Sequence, residues 1–213
     1  MSEPIQTLFA GFGTNLQLFA LTLALALPLG LIITLGSMTR FWPIKWLTKT
    51  FVWIIRGSPL MLQLFVVLYV PGLLFDYPMR NRMMAALVAF VINYAAYFSE
   101  IYRGGIESIS KGQYEAGYVL GLTKGQIFRK IVLKQVIQRI VPPMSNEIIT
   151  LIKDTALANC IIVCEIIKQA KELAATKALV WPLFYTGVFY LLFVGILTIV
   201  LGKVEKKLSY FRS

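Results

Sequence analysis

Long uncharged apolar runs, separated by polar stretches, dominate the pattern along this chain. No charged residue lies between Glu3 and Arg40, and Gly57–Phe75, Met83–Ser99 and Ala178–Gly202 are uncharged as well. A helix that crosses a bilayer needs about 20 mainly apolar residues, and each run meets that length or comes close to it. The runs show no period-2 alternation, so helices are predicted rather than a β-barrel. A fourth segment, about 140–163, is more polar. It contains Pro142, Pro143, Asn146, Glu147, Lys153 and Asp154. With it the chain has five predicted spans, at about 12–38, 51–75, 83–103, 140–163 and 179–202.

One polar stretch differs from the others. Residues 104–139 form a long basic loop with its own helical periodicity. Gly121 is a natural break, and Thr123 with Gln126 has the capping-box pattern that starts a new helix. Ile127, Phe128, Ile131, Val132 and Gln135 then recur every three to four residues, opposite Lys124, Arg129 and Lys130. From spacing alone this is either a docking element for a partner or an interfacial helix resting on anionic lipid.

Composition supports the membrane reading. Of the 213 residues 58% are hydrophobic and 15% charged, and the mean hydropathy is +0.72. Soluble domains carry roughly 45–50% apolar and about 25% charged residues. The net charge of +11 is distributed in a way that excludes a nucleic-acid reading. Arg40, Lys45, Lys49 and Arg56 surround the first connection. Arg103, Lys111, Lys124, Arg129, Lys130, Lys134 and Arg139 lie in the long loop, and Lys203, Lys206, Lys207 and Arg212 at the C-terminus. The opposite side holds only Arg80, Arg82, Lys168, Lys171 and Lys177. The positive-inside rule then predicts an external N-terminus and a cytoplasmic C-terminus, which requires an odd number of spans. Residues 1–11 lack a positive n-region and carry Glu3, so the first helix is expected to stay in the protein. Cys160 and Cys164 are four apart; on one helix they would share a face as packing residues without a disulfide.

Several motifs, in order, resemble one family. They are Ile55-Arg56-Gly57-Ser58-Pro59-Leu60 with Gln63-Leu64-Phe65, and the run Asn93–Ile106. In the loop stand Lys111-Gly112-Gln113-Tyr114-Glu115-Ala116-Gly117 and Gly121-Leu122, followed by Asn146-Glu147 and Leu151–Ala158. Over about residues 12 to 210 the chain resembles the permease subunits of bacterial ATP-binding-cassette importers for polar amino acids. Ser110, Gly117 and Lys134 depart from that family's usual proline, alanine and proline, and the segment 159–177 also departs.

The resemblance implies an all-α membrane protein with the type I importer permease fold, in a single domain of the bacterial inner membrane. It implies that residues 104–139 carry the "EAA" coupling helix, with Gly112, Gln113, Glu115, Ala116, Gly117, Gly121 and Leu122 gripped by an ATPase. The implied assembly has two ATPase copies, a second permease chain, identical or homologous, and an external solute-binding protein. The family's substrates include glutamine, arginine, histidine, glutamate and cystine. ATP and Mg belong to the ATPase, and no cofactor is expected on this chain.

Ionisable residues inside a span face a bundle interior or an aqueous cavity. Glu147 and Asp154 are seven apart and so share a helix face. With Lys153, Thr155 and the neutral groups Asn93, Tyr97 and Asn146 they are the candidate substrate pathway. A carboxylate meets a substrate ammonium; a lysine, amide or hydroxyl meets its carboxylate. The alternative is an internal Glu147–Lys153 salt bridge that fixes packing. Ser58 and Pro59 read as the cap and first turn of the second helix, Arg56 as an interface marker, and Glu100 with Arg103 as a local ion pair. The chain has no histidine, no phosphate-binding loop and no nucleophile elbow. Two further readings stay open, an ion-coupled secondary transporter and a membrane scaffold that recruits a partner.

Overall fold

In the computed structural model, residues 3–209 are described; Arg212 of the C-terminal cation cluster lies outside them. The elements are α1 (Glu3–Met38), α2 (Trp42–Gly57), α3 (Leu60–Phe75), α4 (Arg82–Glu107), α5 (Lys111–Val119), α6 (Lys124–Ile127), α7 (Leu133–Asp154), α8 (Ile166–Lys177) and α9 (Trp181–Ser209). A widened π turn, Phe128–Val132, joins α6 to α7, and a 3₁₀ segment, Thr155–Ile161, follows α7.

α4 is the central helix. Ala85, Ala86, Ala89, Ala95 and Ala96 on it are buried, with Phe90, Tyr94 and Phe98 between them. Small side chains let neighbouring helices approach closely, the usual source of packing energy in lipid. At Gly30 of α1 a Cβ would sit 3.0 Å from the Ala95 carbonyl oxygen. One turn on, the Thr34 hydroxyl donates to Ser99 O of α4 at 3.0 Å. α9 packs the other way: Phe184, Leu191, Leu192, Ile196 and Ile199 are exposed, as a lipid-facing helix requires.

α1, α4 and α9 are each long and apolar enough to cross a membrane. The predicted span 51–75 is not one straight helix. α2 and α3 meet at 109° across Ser58-Pro59, so the two together contribute at most one crossing. The proline prevents helical continuation because it has no N–H and clashes with the preceding turn. Ser58 does not cap α3. Its hydroxyl donates back to Ile54 O and Ile55 O at 3.0 and 3.2 Å, and Pro59 holds the N-cap position. Buried Gln63 braces the corner, donating to Ile55 O at 2.8 Å and to Ser58 O at 3.2 Å.

The polar fourth segment is helical from Leu133, earlier than predicted, and is continuous with α6 through the π turn. The expected loop 104–139 is therefore shorter, because α4 also runs on to Glu107. Pro142 and Pro143 lie inside α7 and leave the carbonyls of Gln138 and Arg139 without their helical donors. The chain turns at Ile162, which takes a left-handed φ of 64°. Cys160 precedes this turn and Cys164 follows it, so they do not share a helix face; both are free and exposed.

Candidate functional site

Two features carry the candidate residues, a polar cavity among α2, α3, α4 and α7 and the α5–α6 hairpin. The cavity has a volume of about 460 Å³. Arg56, Asn93, Tyr94, Tyr97, Glu147, Thr150 and Asp154 supply its polar lining, with Gly57–Leu60 at the bend. The seven-residue spacing on α7 does bring both carboxylates to this one space. Asp154 is held by the Tyr94 hydroxyl, which donates to it at 2.7 Å. Among the described residues Glu147 has neither a hydrogen bond nor an ion pair. Asn93 donates to Gln63 Oε1 at 3.1 Å, which ties the cavity wall to the α2–α3 corner.

Arg56 contributes more than an interface marker. Its guanidinium lies 5.0 Å over the Tyr97 ring and 3.4 Å from Glu100. It also lines a second cavity of about 450 Å³ with Lys49, Trp53, Tyr97, Glu100 and Arg103. The expected Glu100–Arg103 pair is present at 2.6 Å, and Arg103 also reaches Glu107 at 2.7 Å. Arg56 is thus the cation shared by both spaces. The bend sets it beside both cavities, and no local sequence signal gives the direction of a bend.

The other pathway candidates sit elsewhere. Asn146 and Lys153 are exposed and outside the cavity lining. Glu147 and Lys153 form no ion pair. Thr155 is fully buried and faces away, where its hydroxyl lies 2.9 Å from Asn15 Nδ2. It belongs to a polar knot that sequence reasoning missed. Asn15 Nδ2 also lies 3.0 Å from the Tyr190 hydroxyl and 3.3 Å from Glu165, and its Oδ1 accepts from Ile166 N at 3.1 Å. Glu165 is 1% exposed. Its carboxylate accepts from Ile167 N and Lys168 N at 2.9 and 2.7 Å, capping α8.

The hairpin is built by local rules. Gly121, at φ +72°, ends α5. Its N–H donates to Tyr118 O at 2.9 Å, and Leu122 N–H donates to Gly117 O at 3.1 Å. These two bonds make a Schellman closure. Thr123 and Gln126 form the predicted capping box, with Thr123 N donating to Gln126 Oε1 at 2.9 Å. Gly117 is buried, and a Cβ there would meet Ile127 Cγ1 at 2.6 Å. The glycine that the family pattern replaces by alanine is here the contact through which α5 seats on Ile127. Ile109, Ile127, Val132 and Val136 form a small core beneath the hairpin. Gln113 is held by Gln135 at 2.9 Å, and Arg139 donates to Ser108 O.

Gly112, Glu115, Ala116 and Gly121 are exposed, while Gln113 and Leu122 are half-buried. Sequence reasoning did not single out the apolar tip beside them: Val119 is 87% exposed, Leu120 74% and Tyr118 48%. Together these three side chains form an exposed apolar patch, the kind of surface from which interaction sites are built.

The sequence signature described as "binding-protein-dependent transport system inner membrane component" matches residues 26–210. The arginine transport system permease protein ArtQ of Bacillus subtilis is 34% identical, over 96% of this chain and 94% of its own length. The L-cystine transport system permease protein TcyB of the same organism is 37% identical, over 79% and 71%. The glutamine transport system permease protein GlnP of Escherichia coli is 32% identical, over 96% and 94%. A chain from the crystal structure of an amino acid ABC transporter with histidines superposes with a TM-score of 0.88 at 27% identity, covering 95% of this chain and 94% of that one. A chain of the inward-facing MetNI methionine ABC transporter shares the fold, with a TM-score of 0.75 at 17% identity, over 98% and 99% of the two chains.

Proposed function

The chain belongs to the family of binding-protein-dependent transport system inner membrane components, and from that premise we propose that it is the permease subunit of an ATP-driven amino-acid importer. The observation that carries the proposal is the cavity of about 460 Å³, which joins the Arg56 guanidinium, the Asn93 and Tyr97 groups and the Glu147 and Asp154 carboxylates in one space. An amino-acid zwitterion needs both signs of charge. Glu147, which has no hydrogen bond or ion pair among the described residues, accepts from the substrate ammonium or from a cationic side chain. Arg56 meets the carboxylate. A second permease completes the pathway.

The α5–α6 hairpin is the coupling element. Glu115 and Ala116, with the apolar tip Tyr118-Val119-Leu120, enter a cleft of the ATPase, which carries ATP and Mg. Closure of two ATPases rocks two such hairpins and alternates access to the cavity. An external solute-binding protein delivers the amino acid. Five crossings, with α7 and its 3₁₀ extension as the fourth, give an external N-terminus and a cytoplasmic C-terminus.

The test is Glu147→Gln in the reconstituted transporter. It keeps the shape and removes the charge. Uptake is expected to fall while assembly and basal ATP hydrolysis persist. Uptake kinetics unchanged in an assembled complex would remove Glu147 from the pathway. Substrate-stimulated ATP hydrolysis by the same preparation separates this reading from an ion-coupled transporter and from a scaffold.

A further inference from the structure

α2 repeats a small pattern three times. Trp42 stands three residues before Lys45, Trp46 three before Lys49, and Trp53 three before Arg56. Residues three apart on a helix are surface neighbours, so the cations form one stripe and the indoles a second stripe beside it. All six side chains are exposed, and the indoles stand 57–76% open. Trp42 and Trp46 stack with their ring centroids 6.4 Å apart. Val52 is the only one of the sixteen residues of α2 that is buried.

The helix also lies in a telling direction. It meets α3 at 109°, close to a right angle. If α3 crosses the bilayer, α2 runs nearly in the membrane plane. It follows directly on the end of α1, and its last turns stand level with Glu100 and Arg103 near the end of α4. No acidic residue occurs between Glu3 and Asp76. Arg56 is engaged by Glu100 and Tyr97, whereas among the described residues no carboxylate lies within ion-pair distance of Lys45 or Lys49.

We propose that α2 is an interfacial helix that binds anionic phospholipid headgroups through Lys45 and Lys49, with Trp42, Trp46 and Trp53 seated among the acyl-chain ends beside them. Indoles favour the headgroup boundary, where one edge is wet and the other apolar. Lysines flanking them attract lipid phosphates by roughly fivefold per cation near a charged surface. The inference is independent of the transported substrate and of any partner protein.

The molecule supplies its own reporter, because three of its four tryptophans lie on α2. In a Trp181→Phe variant of the full chain, reconstituted in its assembled transporter, every permease indole belongs to this helix. Fluorescence is compared in phosphatidylcholine vesicles containing a small equal fraction of brominated phosphatidylglycerol or brominated phosphatidylcholine. The anionic quencher is expected to be about twice as effective or more. That excess should disappear in Lys45→Gln/Lys49→Gln, and also in the unsubstituted lysine background at about 1 M salt, where screening acts within about 3 Å. Equal quenching by both lipids would overturn the proposal, leaving a helix that touches lipid without selecting charge. No quenching by either would overturn it as well, because the indole face would then be covered by protein, such as a second copy of the chain.

Discussion

The α5–α6 hairpin and the knot around Glu165 both reverse the chain, and they do so by opposite means. The hairpin closes with bonds between near neighbours: Leu122 to Gly117, Gly121 to Tyr118, and Thr123 with Gln126. The knot closes with Asn15, Thr155, Glu165 and Tyr190, whose bonds span 140 to 175 residues. One is a module on the surface, seated on a small core of its own. The other ties α1, α8 and α9 together at the opposite end of α7. A part that is to move as a unit, as proposed for the hairpin, is best held locally. A part that fixes helices relative to one another has to be held from several of them.

The largest expected effect comes from breaking the knot. Glu165→Ala removes the cap of α8, worth about 1 kcal/mol. It also takes away the acceptor that the half-buried Asn159 amide finds in Glu165 at 3.2 Å, at roughly 1 kcal/mol, while the buried Asn15 amide keeps Thr155 and Tyr190. A loss of about 2 kcal/mol in the unfolding free energy of the purified chain is expected from these two costs together. Glu165→Gln, which keeps one acceptor, should lose less. Unfolding of the alanine variant at the unsubstituted temperature would mean that the knot holds nothing.

Within the hairpin the strongest test is the seat of α5. Gly117→Ala drives a Cβ into Ile127, which is fully buried, at an overpacking cost of about 1–3 kcal/mol. Part of this is offset by about 1 kcal/mol of helix propensity. Combined with Ile127→Ala, the clash is gone. The double variant should therefore be more stable than the two single losses predict, by about 1 kcal/mol or more. Strict additivity would show that the two residues do not press on each other in solution. Gly121→Ala tests the turn itself, since a left-handed φ costs a residue with a Cβ about 1–2 kcal/mol. The expected sign is faster amide exchange in α5, with the exchange of α8 unchanged.

The same contrast explains what the sequence reveals. Gly121, Thr123 and Gln126 are legible because their partners lie within a few positions. Glu147 and Asp154 are legible as a pair because helix periodicity alone puts them on one face. The runs of α1, α4 and α9 are legible because solvation by lipid acts on composition. Gln63 and Asn15 are single polar residues in apolar runs, and nothing nearby tells which distant helix answers them. Pro59 announces a helix start, but a proline sets no bend angle, so the 109° corner and the placing of Arg56 between the two cavities stay hidden. Thr155 lies one residue after Asp154, and 100° of helix rotation is enough to carry it from the cavity side to the knot.

The smallest effect belongs to Thr123→Ala, and it sharpens the contrast most cleanly. Thr123 Oγ1 accepts from Gln126 N at 3.4 Å, a long bond, while its own N–H donates to Gln126 Oε1 at 2.9 Å. Both residues are exposed, so water replaces much of what the side chain supplies. A loss toward the lower end of the usual cap range is expected, about 0.5–1 kcal/mol. It should be confined to the amides of Lys124 to Ile127, read by hydrogen exchange, while Ile167 and Lys168 at the knot keep their protection. Thr123→Ser retains the acceptor and should behave like the unsubstituted chain. If Thr123→Ala instead loosened α8 as Glu165→Ala does, the hairpin would not be an independent module. The coupling motion proposed for it could then not be separated from the packing of the whole bundle.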